Sequence, residues 1–239
     1  HFLHDRRTLD NIAQAIRPQA GETLLEIGPG RGALTRLLVA KHAPLTVVET
    51  DGEFIAPLRA EFPEVRVVEA DFLRTSLKAE YWCGNLPYNI SSPILFKLLE
   101  ERRTVREAVF MLQKEVARRI CAPAGGKDYG VLSVLLGRYY SIEYLFEVGP
   151  GAFVPPPKVR SAVIRLTRNE RSPDGYEKLR TTVKAAFARR RKTLLNAMRS
   201  AGLEYVVPEP WRGRRAEELN VEEFAFMAER LNDENAARP

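Results

Sequence analysis

Leu9, Ile12, Ala13 and Ile16 fall on one face of a helix over residues 8–17, which Pro18 and Gly21 stop. The apolar run then tightens, and TLLEIG (23–28) reads as a short buried strand. Helical spacing returns in GALTRLLVAK (32–41), LTVVET (45–50) is a strand, and EFIAPLRAEF (53–62) is helical despite Pro57. VRVVEAD (65–71) and EYWCGN (80–85) are strands, and PILFKLLEER (93–102) is a helix. VREAVFML (105–112) is a strand, and KEVARRI (114–120) begins a helix.

Alternation of this kind predicts an α/β fold with a doubly wound, mostly parallel sheet. APAGGKDYG (122–130) reads as a loop, and residues 131–148 hold a further helix and strand. Residues 149–166 form a proline-stiffened loop running into a strand, and RNERSPDG (168–175) reads as a linker. Beyond it, residues 176–202 and 216–234 are helical in pattern. The expected organisation is an α/β domain over residues 1–169 and a small α-helical domain over 170–239. There is no internal repeat.

Composition narrows the picture. The chain has 239 residues, 45% of them apolar, enough for a sizeable core. No apolar run approaches the ~18 residues of a membrane span. The N-terminal HFLHDRR is short and polar, unlike a signal peptide, so a cytoplasmic protein is expected. Cys83 and Cys121 make no disulfide framework, and His1, His4 and His42 have no metal-ligand spacing, so no metal is expected. Cys83 reads as a small apolar residue ending a buried strand. The net charge of +6 is uneven: residues 158–215 hold 16 Lys and Arg against 5 Asp and Glu, while the remainder is net acidic. One basic region on an acidic body points to a polyanionic partner.

The glycines of EIGPGRGAL lie at 28, 30 and 32, between a strand and a helix, and Gly28, Gly30 and Ala33 satisfy G-x-G-x-x-A. Such a turn lets a ligand approach backbone N–H groups closely. Glu49 ends the next strand, 21 residues after Gly28, where an acid accepts hydrogen bonds from an adenosine ribose. Asp71 and Phe72 follow the third strand, as a carboxylate and a ring for an adenine, and Asn85 ends the fourth. Each acid alone is equally well a helix cap. NAD(P) and S-adenosylmethionine both fit such a set. No histidine lies beyond residue 42 to act as a dehydrogenase acid/base, which favours S-adenosylmethionine.

NLPYNISSP (85–93) supports that choice. An exocyclic amine of a nucleobase is a poor nucleophile, because its lone pair is delocalised into the ring. The side-chain oxygen of Asn85 and the carbonyl of Leu86 would accept its hydrogens and aim the lone pair at a methyl group. Pro87 would stiffen the loop, and Tyr88 would offer a flat face to the base. A plain strand–helix connector explains the Asn and the Pro but not the Tyr. Phe153, in AFVPPPKV, would close on a flipped base from the other side or simply anchor its loop.

These stretches resemble the rRNA adenine N6,N6-dimethyltransferases of KsgA type. The resemblance rests on FLHD, EIGPGRGALT, VVETD, AD-F, NLPYNISSPILFKLL, FMLQKEVARRI, YGVLSV, FVPPPKVRSAVIRL and FARRRKTLLNAMR, in order over almost the whole chain. It implies a Rossmann-like class I methyltransferase domain with a helical RNA-binding domain. The reaction implied is N6,N6-dimethylation of two adjacent adenosines near the 3′ end of 16S rRNA, in the 30S subunit or its precursor. Nothing in the sequence calls for an obligate oligomer, so a monomer is expected. His1 and Leu3 would touch the cofactor, Gly28 and Gly30 its methionine portion, Glu49 its ribose and Asp71 its adenine amine. Asn85, Leu86, Pro87 and Tyr88 would form the target-amine site, with Phe153 stacked on the base. The family's motif normally begins with Gly-Gln and a basic segment, here absent before His1. The cofactor lid and some RNA contacts are therefore expected to be incomplete.

Lys158 and the run Arg189, Arg190, Arg191, Lys192 are the expected phosphate contacts. The run is placed on a helix whose apolar face carries Phe187, Leu194 and Met198. Large-subunit (23S) rRNA methyltransferases of Erm type share the cofactor motifs but resemble FMLQKEVARRI, YGVLSV and FARRRKT less. A non-catalytic RNA-binding factor and a NAD-linked oxidoreductase are the readings from other classes.

Overall fold

The computed structural model describes residues 1–41, 43–169 and 174–232. In chain order the strands are β1 (Phe2–Leu3), β2 (Leu24–Ile27), β3 (Leu45–Glu49), β4 (Arg66–Glu69), β5 (Tyr81–Asn85), β6 (Glu107–Gln113), β7 (Tyr140–Val148), β8 (Phe153–Val154) and β9 (Ser161–Arg168). The helices are α1 (Arg6–Ala15), α2 (Thr35–Leu38), α3 (Gly52–Glu61), α4 (Ser91–Glu100), α5 (Lys114–Ile120), α6 (Val131–Tyr139), α7 (Tyr176–Phe187), α8 (Leu194–Arg199) and α9 (Val221–Glu229).

Seven strands form one sheet in the order β4-β3-β2-β5-β6-β9-β7. Pairing from β4 through β6 is parallel, and β9 runs antiparallel to β6. The doubly wound, mostly parallel expectation is met. Every residue of β2 is buried, as befits a parallel strand covered on both faces. The chain winds outward from β2 through β3 to β4, then returns to β5 on the other side of β2. The carboxyl ends of β2 and β5 therefore flank a topological switch point, where open α/β sheets bind ligands.

Local sequence explains most boundaries. Asp5 starts α1 by accepting the Thr8 N–H at 2.8 Å, and Asp51 starts α3 by accepting that of Glu53 at 3.0 Å. Pro57 stays inside α3 at the loss of one ladder bond. The helix expected over 32–41 is only α2, followed by a 3-10 turn over Val39–Lys41. The two-residue strands β1 and β8 pair antiparallel, Phe2 with Val154 and Leu3 with Phe153. Nothing in the apolar pattern anticipates them.

The chain divides into two compact units. One comprises residues 1–117 and 141–168; the other comprises 118–140 and 169–239. Residues 118–140 were expected with the first domain, but α6 buries Val134, Leu135, Leu136 and Tyr139 and packs on α7 and α9. The boundary expected near 170 and residues 170–173 of the linker lie outside the described residues, as do residues 233 and 234 of the last helical stretch. A capping box of Asn220 and Glu223 starts α9.

The basic run is not helical. α7 ends at Phe187, α8 begins at Leu194, and residues 189–192 form the turn between them. Arg190 bends back to donate to the carbonyls of Lys127 and Tyr129 at 2.9 and 2.7 Å.

Close packing at the switch point yields a test. A methyl group at Gly84 of β5 would lie 2.4 Å from the Ile27 carbonyl oxygen of β2. Gly84→Ala should therefore destabilise the protein by about 2–3 kcal/mol, read as a lower urea midpoint. An unchanged midpoint would show that the two strand ends can part freely.

Candidate functional site

A cavity of about 1070 Å3 opens at the carboxyl ends of β2, β3 and β5, within the first compact unit. Its floor is the glycine loop after β2. Gly28 and Gly30 have φ of 67° and 53°, a left-handed conformation that favours glycine. A methyl group on Gly28 would meet nothing within 4 Å, so the backbone there is open to a ligand.

Glu49, at the end of β3, ties this loop down. One carboxylate oxygen accepts the Gly30 N–H at 2.9 Å; the other accepts those of Thr50 and Asp51 at 2.8 and 3.0 Å. A carboxylate offers about four acceptor positions, so one remains for a ligand hydroxyl. Glu26 of β2 also lines the cavity, 2% exposed, with the Thr35 hydroxyl donating to it at 2.6 Å. Burial outweighs that hydrogen bond and, with the nearby Glu49 charge, pushes its carboxyl up to about 7.

Asn85, Leu86, Pro87 and Tyr88 line the same cavity. The Leu86 N–H donates to the Met111 carbonyl at 2.9 Å, holding the loop to β6. Asn85 Nδ2 donates to the His1 carbonyl at 3.4 Å. With its donor end engaged, the amide keeps Oδ1 for a ligand. The Tyr88 hydroxyl is 2.7 Å from Ser161 Oγ, and its ring lies tilted near His1, 6.2 Å between centroids.

The β1–β8 ribbon forms another wall. His4 and Asp5 N–H groups donate to the Ala152 carbonyl, and His1 Nδ1–H donates to the Pro155 carbonyl at 2.7 Å. His1, Leu3 and Phe153 thus all reach the cavity. Phe153 is only 2% exposed and belongs to the apolar core, so it anchors its loop as well as closing the wall.

Asp71 and Phe72 are placed differently. Neither lines the cavity. Asp71 caps the 3-10 turn Phe72–Arg74 by accepting the Leu73 N–H at 3.0 Å, the plain role of an acid after a strand. The Phe72 ring is buried edge-on against Trp82, with Lys97 Nζ 4.9 Å from its centre, so it offers no open face for stacking on an adenine.

Sequence reasoning missed Phe2, Phe54, Arg31 and Glu26. Phe2 packs edge-on to Phe54 at 5.5 Å, and the Arg31 guanidinium lies 4.8 Å from the centre of its ring. The aromatic inside HFLHD, beside the glycine loop's own cation, was the available signal.

Lys158 is exposed on the first unit. Arg189, Arg190, Arg191 and Lys192 are all exposed on the second, Arg190 also donating to the 122–130 loop. Cys83 is fully buried, and burial raises its thiol pKa well above the ordinary value. Among the described residues no group of three or more His, Cys, Asp or Glu is placed to hold a metal ion, and His42 lies outside them.

Comparison with known proteins gives a consistent result. The family model for ribosomal RNA adenine dimethylase matches residues 1–233. Ribosomal RNA small subunit methyltransferase A of Porphyromonas gingivalis is 46% identical, over 95% of this chain and 93% of its own. The protein of that name from Cytophaga hutchinsonii is 43% identical, over 97% and 95%. Among solved structures, a dimethyladenosine transferase from Plasmodium falciparum superposes with a TM-score of 0.86 at 26% identity, over 95% of this chain and 96% of its own. The 23S rRNA methyltransferase ErmE does so with 0.74 at 29%, over 97% and 99%.

Glu26 supplies a pH test. Its folded pKa of about 7 lies above the ordinary 4.5, so between these values the folded state binds more protons than the unfolded state. Stability from this group is present below about pH 4.5 and is lost as pH rises towards 7, to an extent of about 3 kcal/mol. Glu26→Gln should match wild type in urea unfolding at pH 5 and exceed it at pH 8. An equal gap at both pH values would contradict the assignment.

Proposed function

The chain belongs to the ribosomal RNA adenine dimethylase family, and on that premise we propose that it dimethylates N6 of two adjacent adenosines near the 3′ end of 16S rRNA. The substrate in this reading is the 30S subunit or its precursor. The cofactor is S-adenosylmethionine, whose sulfonium supplies an electrophilic methyl group. The observation that carries the reading is the Asn85 amide, whose donor end is held by the His1 carbonyl beside the glycine loop.

The residues present fit the cofactor. Gly28 leaves open space against the backbone, and Glu49 retains an acceptor position for a ribose hydroxyl. His1 and Leu3 contribute the ribbon side of that pocket. In this reading Asp71 accepts from the adenine amine although it does not line the cavity, and Phe72, its ring buried, makes no cofactor contact.

The Asn85 side-chain oxygen and the Leu86 carbonyl accept the two hydrogens of the target amine. This draws the hydrogens from the base plane and turns the nitrogen lone pair towards the methyl group. Pro87 has no N–H and a fixed φ, which keeps the loop stiff. Tyr88 supports the face of the flipped base, and Phe153 closes the opposite wall over a limited area. The methylated amine is cationic and loses its proton to water, so no strong base is required. Alignment and fixed dipoles carry the catalysis. In the second round one acceptor suffices, since one hydrogen remains.

Several further points support the reading. Identity to the named small-subunit relatives is 43–46%, against 29% to the 23S enzyme ErmE. The reading takes the protein as a monomer. Among the described residues no helix is long and apolar enough to cross a membrane. A ribosomal substrate implies a cytoplasmic setting. Lys158 on the first unit and Arg189, Arg190, Arg191 and Lys192 on the second contact RNA phosphates in this reading, Arg190 while also bracing the 122–130 loop.

Tritiated S-adenosylmethionine and undermethylated ribosomal subunits test the chemistry. Wild type should place label in small-subunit RNA as N6,N6-dimethyladenosine, and Asn85→Ala should lower incorporation about a hundredfold. Label confined to the large subunit would refute the substrate assignment. Replacing Arg189 and Arg191 together with Gln should lower the slope of log affinity against log salt by about 1.5. An unchanged slope would remove these residues from the RNA contact.

A further inference from the structure

We propose that Ser161 is a positioning residue for Tyr88, and that the antiparallel pair β6–β9 serves to grip the target-base loop. This rests on the reading of Tyr88 as the face that receives the base. Ser161 is the first residue of β9 and is 0% exposed. A buried hydroxyl requires a partner, and the Tyr88 hydroxyl, 2.7 Å away, is that partner. Tyr88 itself is only half-buried. Without a bond at its far end, its ring would be free to turn about two side-chain torsions.

The loop is held at a second point on the same strand pair. The Leu86 N–H bonds to Met111 of β6, which pairs with Val163 of β9. Ser161 lies two residues before Val163, opposite Gln113. One bond fixes the backbone next to the Leu86 carbonyl, and the other fixes the ring of Tyr88. Acceptor and ring are thereby kept in one geometry. Upstream, β9 continues directly into the loop from Phe153, so both aromatic walls of the site hang from a single strand.

The test is a double-mutant cycle measured with saturating cofactor on undermethylated small subunits. Ser161→Ala and Tyr88→Phe should each lower kcat about fivefold, as expected for loss of one hydrogen bond. The KM for the subunit and the cofactor affinity by calorimetry should not change. The double variant should lose no more than either single one, because both changes remove the same bond. Multiplicative losses, or a Ser161→Ala enzyme equal to wild type, would overturn the proposal. If Ser161→Ala fails to fold, Tyr88→Phe decides alone: a fivefold lower kcat supports the proposal and wild-type kcat overturns it. Tyr88→Ala separates the two levels of the argument. Wild-type turnover in that variant would sink the reading of Tyr88 as the base platform. A large loss there beside an unaffected Ser161→Ala would sink only the role of Ser161.

Discussion

The close approach of β5 to β2 governs the rest of the first unit. Gly84 faces the Ile27 carbonyl with no room for a side chain, so the two strands stay together up to the point where their chains diverge. Immediately beyond, Ile27 leads into the glycine loop and Gly84 into Asn85. The cavity exists because two parallel neighbours send their continuations to opposite sides of a sheet. The glycine loop and the NLPY loop are thus brought next to one another through strand pairing.

Within that frame the polar groups are sparse, and most have two duties. Glu49 shapes the glycine loop through Gly30 and still offers an acceptor position. Asn85 spends one amide donor on His1 and keeps its oxygen. Tyr88 is bonded at its hydroxyl and leaves its ring face to the site. A group already fixed by a structural bond loses little freedom when a ligand arrives, which is the physical content of preorganisation. Glu26 is the exception, since its buried carboxyl is costly as an anion and its partner is a lone hydroxyl.

Much of this was legible in the sequence. The alternation of rhythms specifies the sheet because buried parallel strands are continuous apolar runs, and the glycine spacing and the NLPY motif locate both loops. What escaped has specific causes. β1 and β8 are two residues each, too short for any periodicity, so the ribbon wall and Phe2 were invisible. Asp71 and Phe72 follow their strand in the expected place, but sequence order does not say which way a side chain turns after a 3-10 bend. Arg189 to Lys192 looked helical because apolar spacing resumes on either side of the turn. Residues 118–140 continue the strand–helix alternation, yet the apolar face of α6 finds its partners in helices far along the chain.

The pairing of β1 with β8 has a bearing on how the molecule is made. It joins positions 2–3 to positions 153–154, closing a loop of about 150 residues, among the slowest kinds of contact to form. During synthesis the glycine loop and the NLPY loop leave the ribosome long before that ribbon can close. A growing chain therefore carries two unfinished walls of its binding site until the segment after Gly149 emerges. The pocket is therefore completed late, and translation products that end before Phe153 lack its ribbon wall.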